Sequence, residues 1–151
     1  MSNITYVKGD IFKGIEAVSK DTPICLPHVC NDQGAWGSGF VVALSKFSLI
    51  PERSYRALKD YKLGHVDISI SYGNIHVLNM IAQHKFVSKN NPVALRYDAL
   101  MTCLDTVFKY AKGLNAEVRA PKFGAGLAEG DWNKIAEIIN SYNYPAVIYE
   151  L

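Results

Sequence analysis

The segment HVCNDQGAWGSGF, residues 28–40, places side chains capable of acid–base chemistry next to a run of glycines. An imidazole with the ordinary histidine pKa of about 6.5 can protonate a leaving oxygen or orient an attacking water at neutral pH. An asparagine amide can fix a substrate hydroxyl, and an aspartate can act as a general base. His28, Asn31 and Asp32 are therefore candidate catalytic residues. Two alternatives stay open: His28 is a core histidine, and Asp32 only satisfies the amides of its own turn.

Two glycine-rich segments, 34–39 and 124–130, each lie between a predicted strand and a predicted helix. In such a loop the backbone N–H groups at the helix N-terminus, together with the helix dipole, favour a phosphate. Ligands of α/β sheets bind beyond the carboxyl ends of the strands, so two such loops can hold a diphosphate from both sides. The alternative is that both segments are ordinary helix-entry turns.

Several known loop patterns do not fit these segments. Val42 and Glu129 stand where a dinucleotide fingerprint requires its third glycine, and no Gly-Lys-Ser or Gly-Lys-Thr follows a glycine run. Trp36 occupies the position of the first glycine of a nucleophile elbow around Ser38. These mismatches exclude a Rossmann dinucleotide site, a P-loop and a serine hydrolase of that type.

The elements that must position these residues alternate between strands and helices. Apolar and alternating segments predict strands over 3–11, 22–31, 65–71, 75–83, 116–123 and 145–151. Helical spacing and end signals predict helices over 39–47, 51–64, 96–113 and 131–142. The alternation predicts an α/β domain whose sheet is covered on both faces, and the hairpin around residues 72–74 makes that sheet mixed. No repeat or linker is present, so we expect one domain.

Composition narrows the class of protein. At 151 residues and a formal net charge of +2, the chain has the size of one globular domain. Lys and Arg are scattered among acids, so we expect no strong nucleic-acid footprint. The three cysteines, Cys25, Cys30 and Cys103, form no CxxC pair, which favours free thiols in a cytoplasmic protein. No cluster of His, Cys or carboxylate residues has ligand spacing, so we expect no bound metal, and we expect no cofactor. No secretory signal or long apolar run is present, so we expect no membrane segment.

Four motifs, ITYVKGDIF, HVCNDQGAWGSGF, PKFGAGLAEGDW and VIYEL, together resemble the macrodomain family along the whole chain. The resemblance implies a single macrodomain over residues 1–151, a three-layer α/β/α sandwich with a central mixed sheet, and ADP-ribose or a derivative as ligand. It assigns the adenine to Gly9, Asp10, Ile11 and Leu151. It assigns the distal ribose and its substituent to Val29, Cys30, Asn31, Trp36, Gly37, Ser38, Gly39, Phe40 and Val41. It assigns the diphosphate to Lys122, Phe123, Gly124, Ala125, Gly126, Leu127 and Ala128.

Within the family, the sequence looks closest to the ADP-ribose 1''-phosphate phosphatases and is less similar to the terminal ADP-ribose protein glycohydrolases. The lysine and aspartate that the glycohydrolases use are replaced here by Ala82 or Gln83 and by Ala128, whereas the phosphatase-like His28 and Asn31 are present. The resemblance therefore implies hydrolysis of ADP-ribose 1''-phosphate to ADP-ribose and phosphate. Two alternatives remain: an ADP-ribosyl hydrolase acting on ADP-ribosylated protein or nucleic acid, and an ADP-ribose-binding module without turnover.

Four further side chains have local interpretations. Trp36 is either a lid over the ribose or a partly buried anchor. His84 either approaches the distal ribose or is an exposed loop histidine. Asp131 is expected to cap the last helix, with Trp132 packing against the core.

Overall fold

The computed structural model describes residues 2–151, in which strands and helices alternate. The strands are β1 (Ile4–Lys8), β2 (Ile24–Asn31), β3 (Val66–Ser71), β4 (Ile75–Gln83), β5 (Glu117–Pro121) and β6 (Ala146–Glu150). The helices are α1 (Ile11–Glu16), α2 (Phe40–Phe47), α3 (Ile50–Arg56), α4 (Tyr97–Leu114) and α5 (Trp132–Asn140).

The strands form one sheet in the order β1-β6-β5-β2-β4-β3. Strands β1, β6, β5, β2 and β4 pair in parallel, and β3 pairs antiparallel with β4. The β3–β4 turn uses positive φ at Tyr72 and Gly73, as a tight hairpin turn requires. The predicted mixed sheet is confirmed, and the carboxyl ends of its parallel strands meet at one edge.

Both faces of the sheet are covered by helices. Alternate residues of the central strands belong to two separate clusters, because successive side chains of a strand point to opposite faces. On one face, Leu26 and Val77 pack with residues of α1, α2 and α3 such as Leu44. On the other, Cys25 and Leu78 pack with residues of α4 and α5. The predicted three-layer α/β/α architecture is confirmed.

The N-terminal strand is shorter than predicted, and a helix that the sequence analysis missed follows it. Gly9 adopts φ +140 and ends the strand geometry after Lys8. The Asp10 side chain then accepts a hydrogen bond from the Phe12 N–H at 2.9 Å and caps α1. Ile11 and Ile15 are the buried residues of this helix, and their four-residue spacing is the signal that reveals it in retrospect.

The helix predicted over 51–64 ends much earlier, at Arg56. The Leu58 N–H bonds to the carbonyl of Tyr55 at 3.2 Å, a tight turn that stops the α-helical pattern. The Tyr55 side chain is fully buried and holds this helix end against the sheet. At the other end of the chain, the prediction that Asp131 caps the last helix is confirmed, since its side chain accepts from the Asn133 N–H at 3.0 Å.

Candidate functional site

The carboxyl ends of three parallel strands open into a cavity of about 670 Å³. Asn31, Gln83 and Pro121, the last residues of β2, β4 and β5, all line it. Both glycine loops border the same cavity, which is where α/β sheets place their ligands. The residues predicted from sequence that the structure brings together here are His28, Val29, Cys30, Asn31, Gly37, Ser38, Gly39, Phe40, Val41, Lys122, Phe123, Gly124, Gly126, Leu127 and Ala128.

Both glycine loops carry backbone donors without a partner. Within residues 2–151, the N–H groups of residues 37–41 and 124–128 donate no hydrogen bond to another protein atom. Gly39 precedes α2 with φ 83 and ψ −150 and no side-chain cap, so the first two amides of that helix, those of residues 40 and 41, have no acceptor. Two runs of unpaired amides beside one cavity are suited to an anion with several oxygens.

Side-chain charge contributes little to the cavity. Of the described residues that line it, Lys122 is the one with a full charge at neutral pH. Lys122 Nζ lies 2.7 Å from a carboxylate oxygen of Glu150 at the end of β6 and 5.7 Å from the centre of the Tyr6 ring. An anion in the cavity therefore meets backbone amides more than cationic side chains.

His28 lines the cavity and is nevertheless 1% exposed. Its Nε2 makes a short hydrogen bond of 2.5 Å with Asn79 Oδ1. The rings of Trp36 and Phe40 flank the imidazole with centroid distances of 5.5 and 5.6 Å. Burial lowers the pKa of His28 to about 4, and the Asn79 hydrogen bond offsets only part of that effect. The imidazole is therefore neutral at pH 7, where it can accept a proton.

Asn31 shapes the first glycine loop. Its Oδ1 accepts from the N–H groups of Gln33 at 2.9 Å and Ala35 at 3.1 Å, and its Nδ2 donates to the Ala35 carbonyl at 2.8 Å. The Tyr55 hydroxyl donates to the Asn31 main-chain oxygen at 2.6 Å from inside the core. One hydrogen of the Asn31 side-chain amide takes no part in these hydrogen bonds. The catalytic role of Asn31 stays a prediction.

Asp32 does not line the cavity and is instead tied to the loop after β4. Its carboxylate accepts from the Lys85 N–H at 2.8 Å and from Gln33 Nε2 at 3.0 Å, and it pairs with His84 Nδ1 at 2.7 Å. Burial disfavours the charge on Asp32, but these hydrogen bonds outweigh it and hold the pKa of the carboxyl below its usual value. This geometry agrees with the alternative that Asp32 satisfies local amides; its role as a general base stays a prediction. His84 is therefore a partner of Asp32, a pairing that the sequence analysis missed.

Trp36 is a buried anchor and does not line the cavity. It is 6% exposed, and its indole N–H donates to Ser45 Oγ at 2.7 Å. Its ring packs edge-on against His28 and in a tilted arrangement against Tyr55. The burial of Trp36 and its contact with the His28 ring agree with the anchor interpretation, and its assignment to the distal ribose stays a prediction.

The predicted adenine residues lie outside this cavity. Gly9, Asp10, Ile11 and Leu151 follow the carboxyl ends of the paired strands β1 and β6, where the Gly9 N–H donates to the Glu150 carbonyl at 2.8 Å. One Asp10 oxygen is used in capping α1, as described above. Their assignment to adenine stays a prediction. The assignment of Ala125 to the diphosphate also stays a prediction, because Ala125 is the one residue of segment 122–128 that does not line the cavity.

Five cavity residues were missed by the sequence analysis: Ala35, Gln83, Phe86, Val87 and Pro121. Phe86 and Val87 are 51% and 42% exposed, and Leu127 is 60% exposed on the opposite loop. We call Phe86, Val87 and Leu127 the apolar rim. Two large apolar residues in the otherwise polar segment HKFVSKNN are the signal that could have drawn attention to this loop.

Among residues 2–151, no group of three or more His, Cys, Asp or Glu side chains is placed to hold a metal ion. No helix in this part of the chain is both long and apolar enough to cross a membrane. The three cysteines are free and buried, and burial raises the pKa of Cys25 and of Cys103 to about 12 and that of Cys30 well above its usual value. Their thiols are therefore protonated at neutral pH and are poor nucleophiles.

No family model matches the sequence. The structure is similar to that of a macrodomain protein from Streptomyces coelicolor, with 35% sequence identity and a TM-score of 0.79, over 98% of this chain and 99% of that one. It is also similar to a Trypanosoma brucei macrodomain in complex with ADP-ribose, with a TM-score of 0.66 over 97% of this chain and 62% of that one. At 14% identity the second similarity concerns the fold alone.

Part of the sequence is similar to the ADP-ribose 1''-phosphate phosphatase of Saccharomyces cerevisiae (strain YJM789). The two are 39% identical over 74 residues, which are 49% of this chain and 33% of that protein. The similarity thus extends over about a third of the yeast protein's length.

Proposed function

The chain belongs to the macrodomain family, and on this basis we propose that it binds ADP-ribose in the cavity and hydrolyses ADP-ribose 1''-phosphate to ADP-ribose and inorganic phosphate. The observation that carries the proposal is the pair of unpaired amide runs, 37–41 and 124–128, beside one cavity. Backbone amides neutralise a diphosphate without basic side chains, in keeping with a net charge of only +2. A volume of 670 Å³ lies within the range of small-ligand sites, about 300–1,000 Å³.

In the proposed reaction, water attacks the phosphorus atom and the bond from phosphorus to the ribose O1'' breaks. Neutral His28 accepts the proton of the water through a ring nitrogen and returns it to the departing oxygen, which gives ADP-ribose and hydrogen phosphate. The Asn31 amide donates its second hydrogen to a ribose hydroxyl, the first being used by the Ala35 carbonyl. Proton transfer of this kind contributes about 10²- to 10⁴-fold to the rate.

Two assays test binding and chemistry separately: calorimetric titration with ADP-ribose and phosphate release from ADP-ribose 1''-phosphate. Gly126 lines the cavity, and a Cβ added there meets nothing within 4 Å, so the backbone accepts a side chain at this position and we expect the side chain of Gly126→Leu to compete with a ligand for the cavity. Gly113→Leu is the matched control, because Gly113 in α4 has equally open surroundings away from the cavity. We expect Gly113→Leu to match the unmodified protein in both assays and Gly126→Leu to bind at least about tenfold more weakly, a loss of about 1.4 kcal/mol.

The outcomes separate the two parts of the proposal. Absence of ADP-ribose binding by the unmodified protein contradicts the ligand assignment. Binding without phosphate release contradicts the phosphatase reaction and leaves a binding module or the second candidate described below. Equal binding by Gly126→Leu and Gly113→Leu places the ligand elsewhere.

The apolar rim favours a second candidate, an ADP-ribosyl hydrolase acting on a modified macromolecule. Phe86, Val87 and Leu127 expose apolar surface at the cavity edge, where a macromolecule attached to the distal ribose can cover it. Incubation with ADP-ribosylated protein and with ADP-ribosylated DNA, followed by measurement of released ADP-ribose, distinguishes this candidate. Release from either substrate but not from ADP-ribose 1''-phosphate favours it over the phosphatase.

A further inference from the structure

Three polar residues are register partners on adjacent strands beneath the cavity. His28 of β2 lies opposite Asn79 of β4, and Asn79 lies opposite Asp67 of β3. Directly paired residues on neighbouring strands project to the same face, so the three side chains form one row. The row is closed by hydrogen bonds from His28 Nε2 to Asn79 Oδ1 at 2.5 Å and from Asn79 Nδ2 to Asp67 Oδ2 at 3.0 Å. It begins at the cavity and ends under α3.

The orientation of the Asn79 amide is fixed by its partners. Asn79 is fully buried, and its Nδ2 donates to the Pro51 carbonyl at 3.1 Å as well as to Asp67. Both partners are acceptors, so a flipped amide would bring its oxygen against two other oxygens. Asn79 Oδ1 therefore faces His28 Nε2. An acceptor at that position requires that Nε2 carries the proton, which leaves the lone pair of the neutral ring on Nδ1.

We propose that Asn79 and Asp67 are positioning residues that hold His28 with its proton on Nε2, so that Nδ1 accepts the proton during catalysis. The proposal rests on the proposed function, since it assigns His28 a task in that reaction. Within the described residues, the hydrogen-bond partner of Nδ1 is the Cys30 sulfur, which lies 3.9 Å from each ring nitrogen and is a weak partner that does not compete with a water. When Nδ1 takes up a proton, the ring becomes positive, and the Asp67 carboxylate stabilises that charge through Asn79.

Asp67 is itself held in place. The Ser54 hydroxyl of α3 donates to Asp67 Oδ1 at 3.0 Å, while Asn79 occupies the other oxygen. The row thus has a buried end at His28 and a partly exposed end at Asp67. A histidine whose second nitrogen is held by a polar partner is the arrangement that fixes the tautomer in acid–base enzymes.

Two variants of β3 test the proposal with matched positions. Asp67→Asn removes the charge but keeps a side-chain oxygen for Asn79. Ser69→Ala is the control: Ser69 lies two residues further along the same strand, and its buried hydroxyl has no hydrogen-bond partner within residues 2–151. We expect Asp67→Asn to lower kcat for phosphate release about 10- to 100-fold with an unchanged KM, the effect typical of losing an outer partner of a functional histidine. Ser69→Ala should leave both parameters unchanged.

Nitrogen NMR of protein labelled in its histidines reads the tautomer directly and needs no substrate. We expect His28 to show a protonated Nε2 and an unprotonated Nδ1, and Asn79→Leu to shift this population toward protonated Nδ1. A protonated Nδ1 in the unmodified protein overturns the proposal. Equal kcat values in Asp67→Asn and Ser69→Ala overturn the role of the Asp67 charge. If the unmodified protein releases no phosphate, the proposed function fails, whereas the NMR result still decides how His28 is held.

Discussion

Replacing Gly39 with alanine tests whether the first glycine loop has the backbone shape on which the anion site depends. Gly39 adopts φ 83 and ψ −150, a region open essentially to glycine alone. A Cβ at this position also lies 3.1 Å from Leu127 Cδ1, the exposed tip of the facing loop. Leu127 can move aside, so the backbone strain dominates. We expect Gly39→Ala to lower the free energy of unfolding by about 1–3 kcal/mol.

Thermal and denaturant unfolding measure this loss, with Gly37→Ala as the matched control. Gly37 lies in the same loop, has no positive φ, and a Cβ added there meets nothing within 4 Å. For a domain of this size, a loss of about 2 kcal/mol lowers the melting temperature by roughly 4–8 °C. Gly37→Ala should leave the stability unchanged or raise it slightly, by up to about 1 kcal/mol.

The same variant links loop shape to ligand binding. If residue 39 relaxes to an ordinary conformation, the amides of residues 37–41 turn away from a common acceptor, so ADP-ribose binding should weaken about tenfold or more. Calorimetry at a temperature where the variant is folded measures this effect. A Gly39→Ala protein as stable as Gly37→Ala, with unchanged affinity for ADP-ribose, would refute the reasoning on this loop.

Three further predictions follow from buried groups around the site. Tyr55→Phe removes the hydroxyl that donates to the Asn31 main-chain oxygen, so we expect the free energy of unfolding to fall by about 1–3 kcal/mol. Denaturant unfolding measures this loss, and an unchanged midpoint would contradict the contact. The pKa of Asp32 is lower in the folded protein than in the unfolded chain, where it is about 3.9. The charged carboxylate therefore stabilises the fold at a pH above about 3.9, and this stabilisation is lost as the pH falls through the pKa of the folded state. Asp32→Asn should therefore be less stable than the unmodified protein at pH 7, and this difference should shrink as the pH falls below about 3.9; a stability difference independent of pH would argue against it. Iodoacetamide should label the three buried thiols only after unfolding, and rapid labelling of the native protein, detected by mass spectrometry, would disprove their burial.

The parts of the site that depend on local sequence were predictable. A strand, a glycine run and a helix follow one another along the chain, so the positions of both loops could be read from residues 28–40 and 121–131. The edge at which they meet follows from the rule that parallel strands share their carboxyl ends. Helix α1 was predictable by the same means, from Asp10 as a cap and the spacing of Ile11 and Ile15. It was missed because the strand predicted from the β-branched run before it was extended to residue 11, whereas β1 ends at Lys8.

The parts that depend on strand order were not predictable. Asp32 and His84 pair because the residues after β2 and β4 are neighbours in the sheet, although they are far apart in the sequence. Asn79 reads as a single polar residue within the apolar run from Val77 to Ala82 until the register places it opposite His28. Burial also changes the chemistry of His28: its type suggests an acid or a base, whereas a pKa of about 4 leaves the ring neutral at pH 7, so its first step is to accept a proton.

Phosphate release by His28→Gln tests whether His28 performs chemistry on a ligand held by the two glycine loops. Glutamine keeps an N–H donor for Asn79 Oδ1 but cannot take up a proton at neutral pH. The affinity for ADP-ribose, measured on the same preparation, shows that the cavity is intact. We predict an unchanged Kd for ADP-ribose and phosphate release from ADP-ribose 1''-phosphate that is slower by about 10²- to 10⁴-fold. Release at the rate of the unmodified protein, with the same Kd, would contradict the account.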